Sequence, residues 1–246
     1  MQKKIEWLLK EKYLGKPNAQ FKKDIARLKK GEPLDYVIGF TEFLGCKIDL
    51  SKKPLIPRFE TEYWVELAME TIKKQQGNIK MLDVFSGSGC IGVAMLAHCK
   101  QVKVTFVDSQ INCIEQIKIS CKINNISKKR YTIIQSDIFK NVTDSYDYIF
   151  ANPPYIPTTR KSKVQKSVVR YEPKKALFGG NDGLFYIRKF LAAVKNFLNP
   201  GGKIYMEFDP PQKNQIEILL KKYGYKDWEF RKDQYGKFRY VAVNDL

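Results

Sequence analysis

The chain has 246 residues, of which 43% are hydrophobic, enough for one large domain or for one domain with a small appendage. It contains no apolar stretch of about 18 residues, and its charged start lacks the apolar centre of a signal peptide, which argues against a membrane protein and predicts a cytoplasmic one. The net charge of +18 would suit a phosphate-rich partner such as RNA or the ribosome. Because the lysines are spread along the chain, an ordinary solvated surface is favoured, with one local exception, the basic cluster at 158–170.

Metal binding is not predicted. The cysteines are scattered without a CxxC pair, and the single histidine, His98, ends an apolar helix pattern, where a structural position is favoured over a catalytic one. Scattered thiols in odd number are typical of a protein from a reducing compartment. The cysteines are Cys46, Cys90, Cys99, Cys113 and Cys121.

The N-terminal part of the chain is predicted to form helices followed by a hairpin. Two amphipathic helices are expected at 2–14 and 18–30, interrupted by a glycine and a proline. The alternating segment 40–50 predicts a β-hairpin with its turn near Gly45, and a further helix is expected near 60–75.

From Ile79 onward, short apolar runs alternate with helical patterns, which predicts a parallel sheet covered by helices on both faces. Strands are expected at 79–84, 102–107, 131–135, 146–150, 203–208, 226–231 and 237–243. Helices are expected at 90–99, 110–124, 183–198 and 213–223. The short turn DQYG between the last two strands predicts an antiparallel ending. The fold class is therefore α/β, the seven-stranded, doubly wound, Rossmann-like sheet of methyltransferases, preceded by a small helical segment and a hairpin linker.

A cofactor site is predicted at the glycine-rich turn in MLDVFSGSGCIG (81–92), which connects a strand to a helix. Glycines let a cofactor approach the backbone, the serines can donate hydrogen bonds or cap the helix, and the helix N-terminus favours a carboxylate. No GK[ST] follows, so the turn is not a P-loop. The candidate residues in this stretch are Asp83, Phe85, Ser86, Gly87, Ser88 and Gly89.

Acidic residues end the next two strands. Asp108 is placed to accept hydrogen bonds from ribose hydroxyls, and Asp137 to reach an adenine amino group, with Ile138 lining the ring. Each acid could instead be a helix N-cap. Together with the glycine-rich turn they favour a purine nucleoside cofactor, and an acid-rich, phosphate-poor site favours S-adenosylmethionine, with S-adenosylhomocysteine as product, over NAD.

The segment FANPPYIP follows the strand at 146–150, at the same edge of the sheet. Methylation of a planar nitrogen needs groups that accept both of its N–H bonds, because its delocalised lone pair is a poor nucleophile. The side-chain carbonyl of Asn152 and the backbone carbonyl of Pro153 could do this, with Pro154 stiffening the loop and Tyr155 stacking on the planar group. This motif predicts an amino-methyltransferase and leaves the substrate open.

Further segments resemble the release-factor glutamine methyltransferases, the HemK/PrmC family. They are GEPLDYVIGFTEFLGCKIDL, PLIPRFETE, NPPYIP, YEPKKALFGGNDGL and a Gly-Lys-Phe-Arg ending, and the resemblance runs from about Gly31 to the C-terminus. It implies methylation of the glutamine in the Gly-Gly-Gln motif of class I peptide chain release factors, with S-adenosylmethionine as donor. The ribosome or RNA could contact the basic surface, and a monomer is expected.

By position, the resemblance also implies a substrate-binding role for a few residues outside the NPPY loop. Arg58, Thr61 and Glu62 match the LIPR..TE segment beside the active site, and Glu172 matches a loop that helps close it. An ion pair between Arg58 and Glu62 is the alternative interpretation. The chain departs from the family pattern at Phe59, at Phe85 and in its short N-terminal helical region.

The resemblance divides the chain into a helical segment (1–32), a linker with the hairpin (33–58) and an S-adenosylmethionine-dependent methyltransferase domain (59–246). Two other enzymatic functions stay open from the sequence. One is methylation of a glutamine in a ribosomal protein, and the other is methylation of adenine or guanine in nucleic acid. The first shares nearly all of the motifs, and the second draws on the charge and the NPPY loop.

Overall fold

The computed structural model describes residues 1–244 of the chain and begins with three helices, of which the first two were predicted. These are α1 (Gln2–Tyr13), α2 (Ala19–Lys29) and α3 (Leu34–Ile38). Asn18 caps α2, because its side-chain oxygen accepts the backbone N–H groups of Gln20 and Phe21 at 2.9 and 3.2 Å. The third helix was not predicted, since its five residues are too few to show a periodicity.

The predicted hairpin is present. Its strands, β1 (Phe40–Phe43) and β2 (Cys46–Asp49), pair in antiparallel register. The two turn residues, Leu44 and Gly45, have φ values of 48° and 73°, as a type I′ turn requires.

A seven-stranded sheet forms the centre of the molecule and confirms the predicted fold class. Its strands are β3 (Ile79–Val84), β4 (Val102–Asp108), β5 (Tyr131–Gln135), β6 (Tyr146–Ala151), β7 (Leu198–Glu207), β8 (Trp228–Lys232) and β9 (Phe238–Asn244). They lie in the order β5-β4-β3-β6-β7-β9-β8. The first five run parallel, whereas β9 is antiparallel to both of its neighbours, as the turn DQYG predicted.

Helices cover both faces of the sheet. They are α4 (Phe59–Lys73), α5 (Cys90–His98), α6 (Ile111–Ile123), α7 (Lys166–Tyr171), α8 (Lys174–Leu177), α9 (Phe185–Ala193) and α10 (Lys213–Lys222). The hairpin and α4 to α6 pack on one face, and α9 and α10 on the other. Trp64 of α4 is fully buried between the rings of Phe150 and Tyr240, with ring centroids 5.8 and 5.4 Å away. Burial of such side chains stabilises the sheet by about 2–3 kcal/mol each.

Two parts of the C-terminal half differ from the prediction. The helix expected at 183–198 ends at Ala193, a 3-10 turn follows at 194–197, and β7 already begins at Leu198 rather than at 203. Pro200 lacks an N–H and disfavours helical geometry in the residue before it, so a helix cannot continue into the segment that forms β7. The short helices α7 and α8 and a 3-10 helix at 158–163 were not predicted, since each has six residues or fewer, too few to show a periodicity.

All five cysteines are buried and none is in a disulfide. Burial raises the pKa of every one of these thiols. Over residues 1–244, no helix is long and apolar enough to span a membrane, and no three His, Cys, Asp or Glu side chains group as metal ligands. His98 is the last residue of α5, and its Nε2 lies 2.6 Å from the backbone oxygen of Leu44.

Candidate active site

A cleft opens at the carboxyl edge of the sheet, where β3 and β6 lie side by side and the strand order reverses. This is the position at which doubly wound sheets bind their ligands. The segments that follow β3, β4, β5 and β6 all contribute to its lining, so the predicted cofactor and NPPY segments meet in one place. From the opposite side, residues 55–58, Lys175, Ala176 and Tyr186 complete the cleft.

The glycine-rich turn is held tightly between β3 and β4. Ser86 is 7% exposed, and its Oγ donates to the backbone oxygen of Asp83 at 2.6 Å and accepts the N–H of Val107 at 2.9 Å. This hydroxyl therefore shapes the turn. Gly89 precedes α5 with φ 78°, a conformation that glycine adopts without strain. The turn leaves backbone facing the cleft at Gly87, where a Cβ would meet only one atom within 4 Å.

Phe85 departs from the small residue expected at this position, and the structure gives it a role. It has φ 60°, which is strained for a residue with a Cβ. Its ring contacts Tyr186 edge-on and Phe190 at centroid distances of 5.9 and 6.3 Å. Packing against α9 therefore holds the first residue of the turn.

Two acidic side chains lie behind the turn. Asp83 is 1% exposed; its Oδ2 accepts the N–H of Gly92 at 3.1 Å, whereas its Oδ1 is buried without a hydrogen-bond partner within residues 1–244. Burial raises the pKa of Asp83 to about 7, and the charge of Asp108 adds to the shift. Asp108 accepts the N–H groups of Gly87 and Gln110, both at 2.9 Å, and burial raises its pKa.

The contacts of Asp108 do not make it the N-cap of a helix, so that alternative interpretation is wrong for this residue. Its bond to Gln110 lies in the turn before α6, whose N-cap is Gln110 itself, and its bond to Gly87 ties it to the glycine-rich turn. Asp137 also lines the cleft, but its side chain is 61% exposed and its nearest cation is Lys189, at 3.9 Å. Ile138 lies beside it with φ 53° and is 8% exposed.

The NPPY loop leaves β6 and borders the cleft. Asn152 donates from Nδ2 to Thr61 Oγ1 at 3.3 Å. Over residues 1–244, no protein donor occupies Asn152 Oδ1 or the backbone oxygen of Pro153. Asn152 lines the cleft, and Pro153, which is a buried residue, lines the neighbouring pocket that Asn152 shares. The ring of Tyr155 is half-buried, and its hydroxyl donates to Glu207 Oε1 at 3.0 Å.

The segment YEPKKALFGGNDGL supports this loop from behind. Gly179 donates its N–H to the oxygen of Ile156 at 3.0 Å, and Ile156 donates to Leu177 at 2.9 Å. A Cβ on Gly179 would lie 2.3 Å from the oxygen of Pro154, and one on Gly183 would lie 2.2 Å from the oxygen of Tyr155. These two positions must be glycine for the segment to pack on the loop.

The predicted substrate residues separate into two groups. Arg58 lines the cleft and pairs with Glu172, with NH2 2.7 Å from Oε1, while Glu172 Oε2 also accepts the N–H of Ile56 at 3.1 Å. The alternative pair between Arg58 and Glu62 is therefore wrong. Glu62 faces the hairpin and accepts the N–H of Leu44 at 2.6 Å, so the structure does not bring its carboxylate to the cleft.

Glu207 is a site residue that the sequence analysis missed. It ends β7 at the same edge of the sheet and is 1% exposed. Its Oε2 accepts from Thr61 Oγ1 at 2.6 Å and from Trp64 Nε1 at 2.7 Å. Burial raises its pKa. An acid at the end of an apolar strand was the available signal, the same signal that identified Asp108.

Comparison with known proteins agrees with this geometry. Residues 64–181 match the family model described as "Methyltransferase small domain". The release factor glutamine methyltransferase of Lactococcus lactis is 32% identical over 98% of this chain and 88% of its own length. That of Francisella tularensis is 36% identical over 85% of this chain and 73% of its own. The chain belongs to the release factor glutamine methyltransferase family.

The fold of this family member is also found among solved structures. A methyltransferase from Pyrococcus furiosus superimposes with a TM-score of 0.59 over 81% of this chain and 88% of its own length, at 22% identity. The two relatives from Lactococcus lactis and Francisella tularensis confirm the resemblance inferred from GEP, LIPR..TE and NPPY. The chain is a methyltransferase with the Rossmann-like sheet predicted from its strand pattern.

Proposed function

We propose that this chain methylates the side-chain amide nitrogen of the glutamine in the Gly-Gly-Gln motif of class I peptide chain release factors, with S-adenosylmethionine as donor. Membership of the family supports the substrate class. The observation that carries the chemistry is the pair of acceptors without a protein donor, Asn152 Oδ1 and the Pro153 oxygen, on a proline-stiffened loop where the cleft meets a neighbouring pocket that Asn152 also lines.

The cleft residues suit a sulfonium nucleoside. The turn from Phe85 to Gly89 offers backbone and little side-chain bulk, and two acids lie directly behind it. A buried carboxylate oxygen without a partner, Asp83 Oδ1, is an acceptor to which a positive charge would be favourable. We propose that the cofactor is held by Asp83, Phe85, Ser86, Gly87, Ser88, Gly89, Asp108, Asp137, Ile138 and Asn152.

S-adenosylmethionine, when bound, supplies an electrophilic methyl group on a sulfonium sulfur. Asn152 and Pro153 each accept one N–H of the carboxamide, which fixes the direction of its lone pair and raises the electron density on nitrogen. Tyr155 packs on the planar amide. Its hydroxyl stays protonated, because burial and the charge of Glu207 raise its pKa well above the usual range. The proton leaves only after nitrogen carries the methyl, so water is a sufficient acceptor.

Docking of the substrate protein involves the residues around the cleft mouth. Arg58 and Thr61 lie at the cleft, and Glu172 holds Arg58 in place there. Glu62 would contribute to docking indirectly, because its carboxylate binds the hairpin turn and holds the hairpin in place. We propose that the enzyme acts as a cytoplasmic monomer and that its basic surface meets the release factor or the ribosome.

Mass spectrometry of a purified release factor after incubation with the enzyme and S-adenosylmethionine tests the proposal. One added methyl on the Gly-Gly-Gln glutamine is expected, with no transfer to DNA, rRNA or ribosomal proteins. Asn152→Ala should lower the rate by about 10²-fold or more, the scale for removing one preorganised polar group. Asn214→Ala, at an exposed position on α10, should leave the rate unchanged. Methylation of nucleic acid or of a ribosomal protein instead would overturn the assignment.

A further inference from the structure

We infer that Glu207, acting through Thr61, dictates which atom of the Asn152 amide faces the substrate. The inference rests on the proposed function, because it concerns recognition of a carboxamide. Glu207 touches no open part of the cleft; it is a positioning residue, and the other two side chains connect it to the loop.

The connection is a chain of hydrogen bonds with only one possible direction. Glu207 Oε2 acts as an acceptor, because Trp64 Nε1, 2.7 Å away, can only donate; the same oxygen accepts from Thr61 Oγ1 at 2.6 Å. The threonine hydroxyl has a single hydrogen, which this short bond uses. Toward Asn152, 3.3 Å away, Thr61 can therefore only accept.

That constraint orients the amide. The NH₂ group of Asn152 must face Thr61, so its carbonyl oxygen turns to the cleft. In the reversed orientation the asparagine oxygen would face the lone pairs of Thr61. Its NH₂ group would then meet the N–H bonds of a substrate carboxamide, donor against donor. Such a site would favour a carboxylate over a carboxamide.

The same carboxylate also holds the other side chain of the loop. Glu207 Oε1 accepts from the hydroxyl of Tyr155 at 3.0 Å, while Trp64 Nε1 donates to Oε2 at 2.7 Å. With both oxygens occupied and Thr61 between it and Asn152, Glu207 has no open path along which to remove a proton from the substrate. Glu207 instead determines which atom of the Asn152 amide accepts a hydrogen bond and where the side chains of the NPPY loop lie.

The discriminating variant is Thr61→Val, which keeps the shape of the side chain and removes the hydroxyl. Two quantities are measured: KM for a Gly-Gly-Gln peptide as substrate and Ki for a Gly-Gly-Glu peptide as inhibitor. In the unsubstituted protein, Ki for the glutamate peptide should be much larger than KM for the glutamine peptide, because the site presents hydrogen-bond acceptors, which suit a carboxamide and not a carboxylate. In Thr61→Val the ratio of Ki to KM should fall about tenfold or more. Thr61→Ser keeps the hydroxyl and should have the same ratio as the unsubstituted protein. Thr71→Val, on the exposed face of α4, should also leave the ratio unchanged.

The ratio does not depend on the fraction of active protein, so partial unfolding of a variant cannot imitate the effect. An unchanged ratio in Thr61→Val, with a parent enzyme that methylates the peptide, would overturn the relay and leave the proposed function intact. A parent enzyme that transfers no methyl to the peptide or to intact release factor would instead refute the proposed function.

Discussion

Individual side chains of the site depend on neighbours that lie far away along the chain. Asp108 and Asn152 stood out in the sequence because one ends an apolar strand and the other follows one, and Asp83 because it lies just before the glycine-rich turn. Thr61 and Glu62 could not be told apart, although they are adjacent. Successive residues of a helix point about 100° apart, so one reaches the cleft and the other the hairpin. The position of Glu207 at the end of a strand was visible in the sequence, but its bond to Thr61 was not, because the two residues are 146 positions apart.

At the residue scale, the raised pKa of Asp83 gives a dependence of stability on pH. Its folded-state pKa of about 7 lies above the ordinary value of 3.8. Between these two pH values the unfolded chain binds fewer protons than the folded one, so the contribution of Asp83 to stability falls as pH rises and is constant above pH 7. The total is on the order of a few kcal/mol.

Asp83→Asn removes this titration while keeping an acceptor for Gly92. Its free energy of unfolding should therefore change less between pH 5 and pH 7 than that of the parent protein. Denaturant unfolding at several pH values measures the difference. Asp144→Asn, at an exposed site, should follow the parent curve. Parallel curves for Asp83→Asn and the parent would mean that the buried carboxyl titrates normally.

At the scale of elements, the NPPY loop is held in position by the segment YEPKKALFGGNDGL, which packs behind it. The sequence identified that segment by its resemblance alone, and the packing now explains it. A Cβ at position 179 would lie 2.3 Å from the Pro154 oxygen and 2.5 Å from the Gly183 oxygen, both backbone atoms that cannot move independently. Short helices between prolines escaped prediction in the same region, since local sequence cannot show a single turn that is stabilised by contacts elsewhere.

Gly179→Ala should displace the loop and lower both methylation and stability. Its φ is not in the left-handed region, so the cost comes from the clash alone. We expect a loss of about 1–3 kcal/mol in unfolding free energy, as for overpacking elsewhere. The rate of methyl transfer should fall by more than the loss of folded protein alone would cause.

The matched control is Gly201→Ala, where a Cβ meets no atom within 4 Å. With φ 75°, this position incurs only backbone strain, and activity in the folded variant should be retained. Equal loss of activity in both variants would contradict the packing argument.

At the scale of the whole molecule, the alternation of strands and helices was sufficient to predict the architecture. Contacts between distant segments were not predictable. Tyr171, for example, donates its hydroxyl to the oxygen of Lys30, which joins α7 to the end of α2. We propose that the chain is organised as a helical segment (1–32), a linker with the hairpin (33–58) and a methyltransferase domain (59–246).

Positive charge is spread over the whole surface of the molecule, and it is concentrated at one place beside the cleft. The basic strap, which is the cluster at 158–170, contains no acidic residue, and Glu172 just after it is buried and already paired. We propose that this strap docks the release factor. Arg160 is unsuitable for testing it, because its guanidinium pairs with Asp209 at 2.5 Å, whereas Lys161 and Lys163 are exposed.

Replacing Lys161 and Lys163 by alanine should slow methylation of intact release factor several-fold and leave a Gly-Gly-Gln peptide unaffected, since only the large substrate reaches the strap. Initial rates at low salt measure both. Lys128→Ala with Lys129→Ala makes the same charge change in the turn that precedes β5 and should alter neither rate. A similar loss on peptide and on release factor would argue against docking by the strap.

The burial of every cysteine has a practical consequence. Each thiol is less than a tenth exposed, and its raised pKa leaves little thiolate at neutral pH. Alkylating reagents and oxidants can therefore reach sulfur only when the folded chain opens. Covalent linkage of two copies through sulfur would mark molecules that had already lost their native structure.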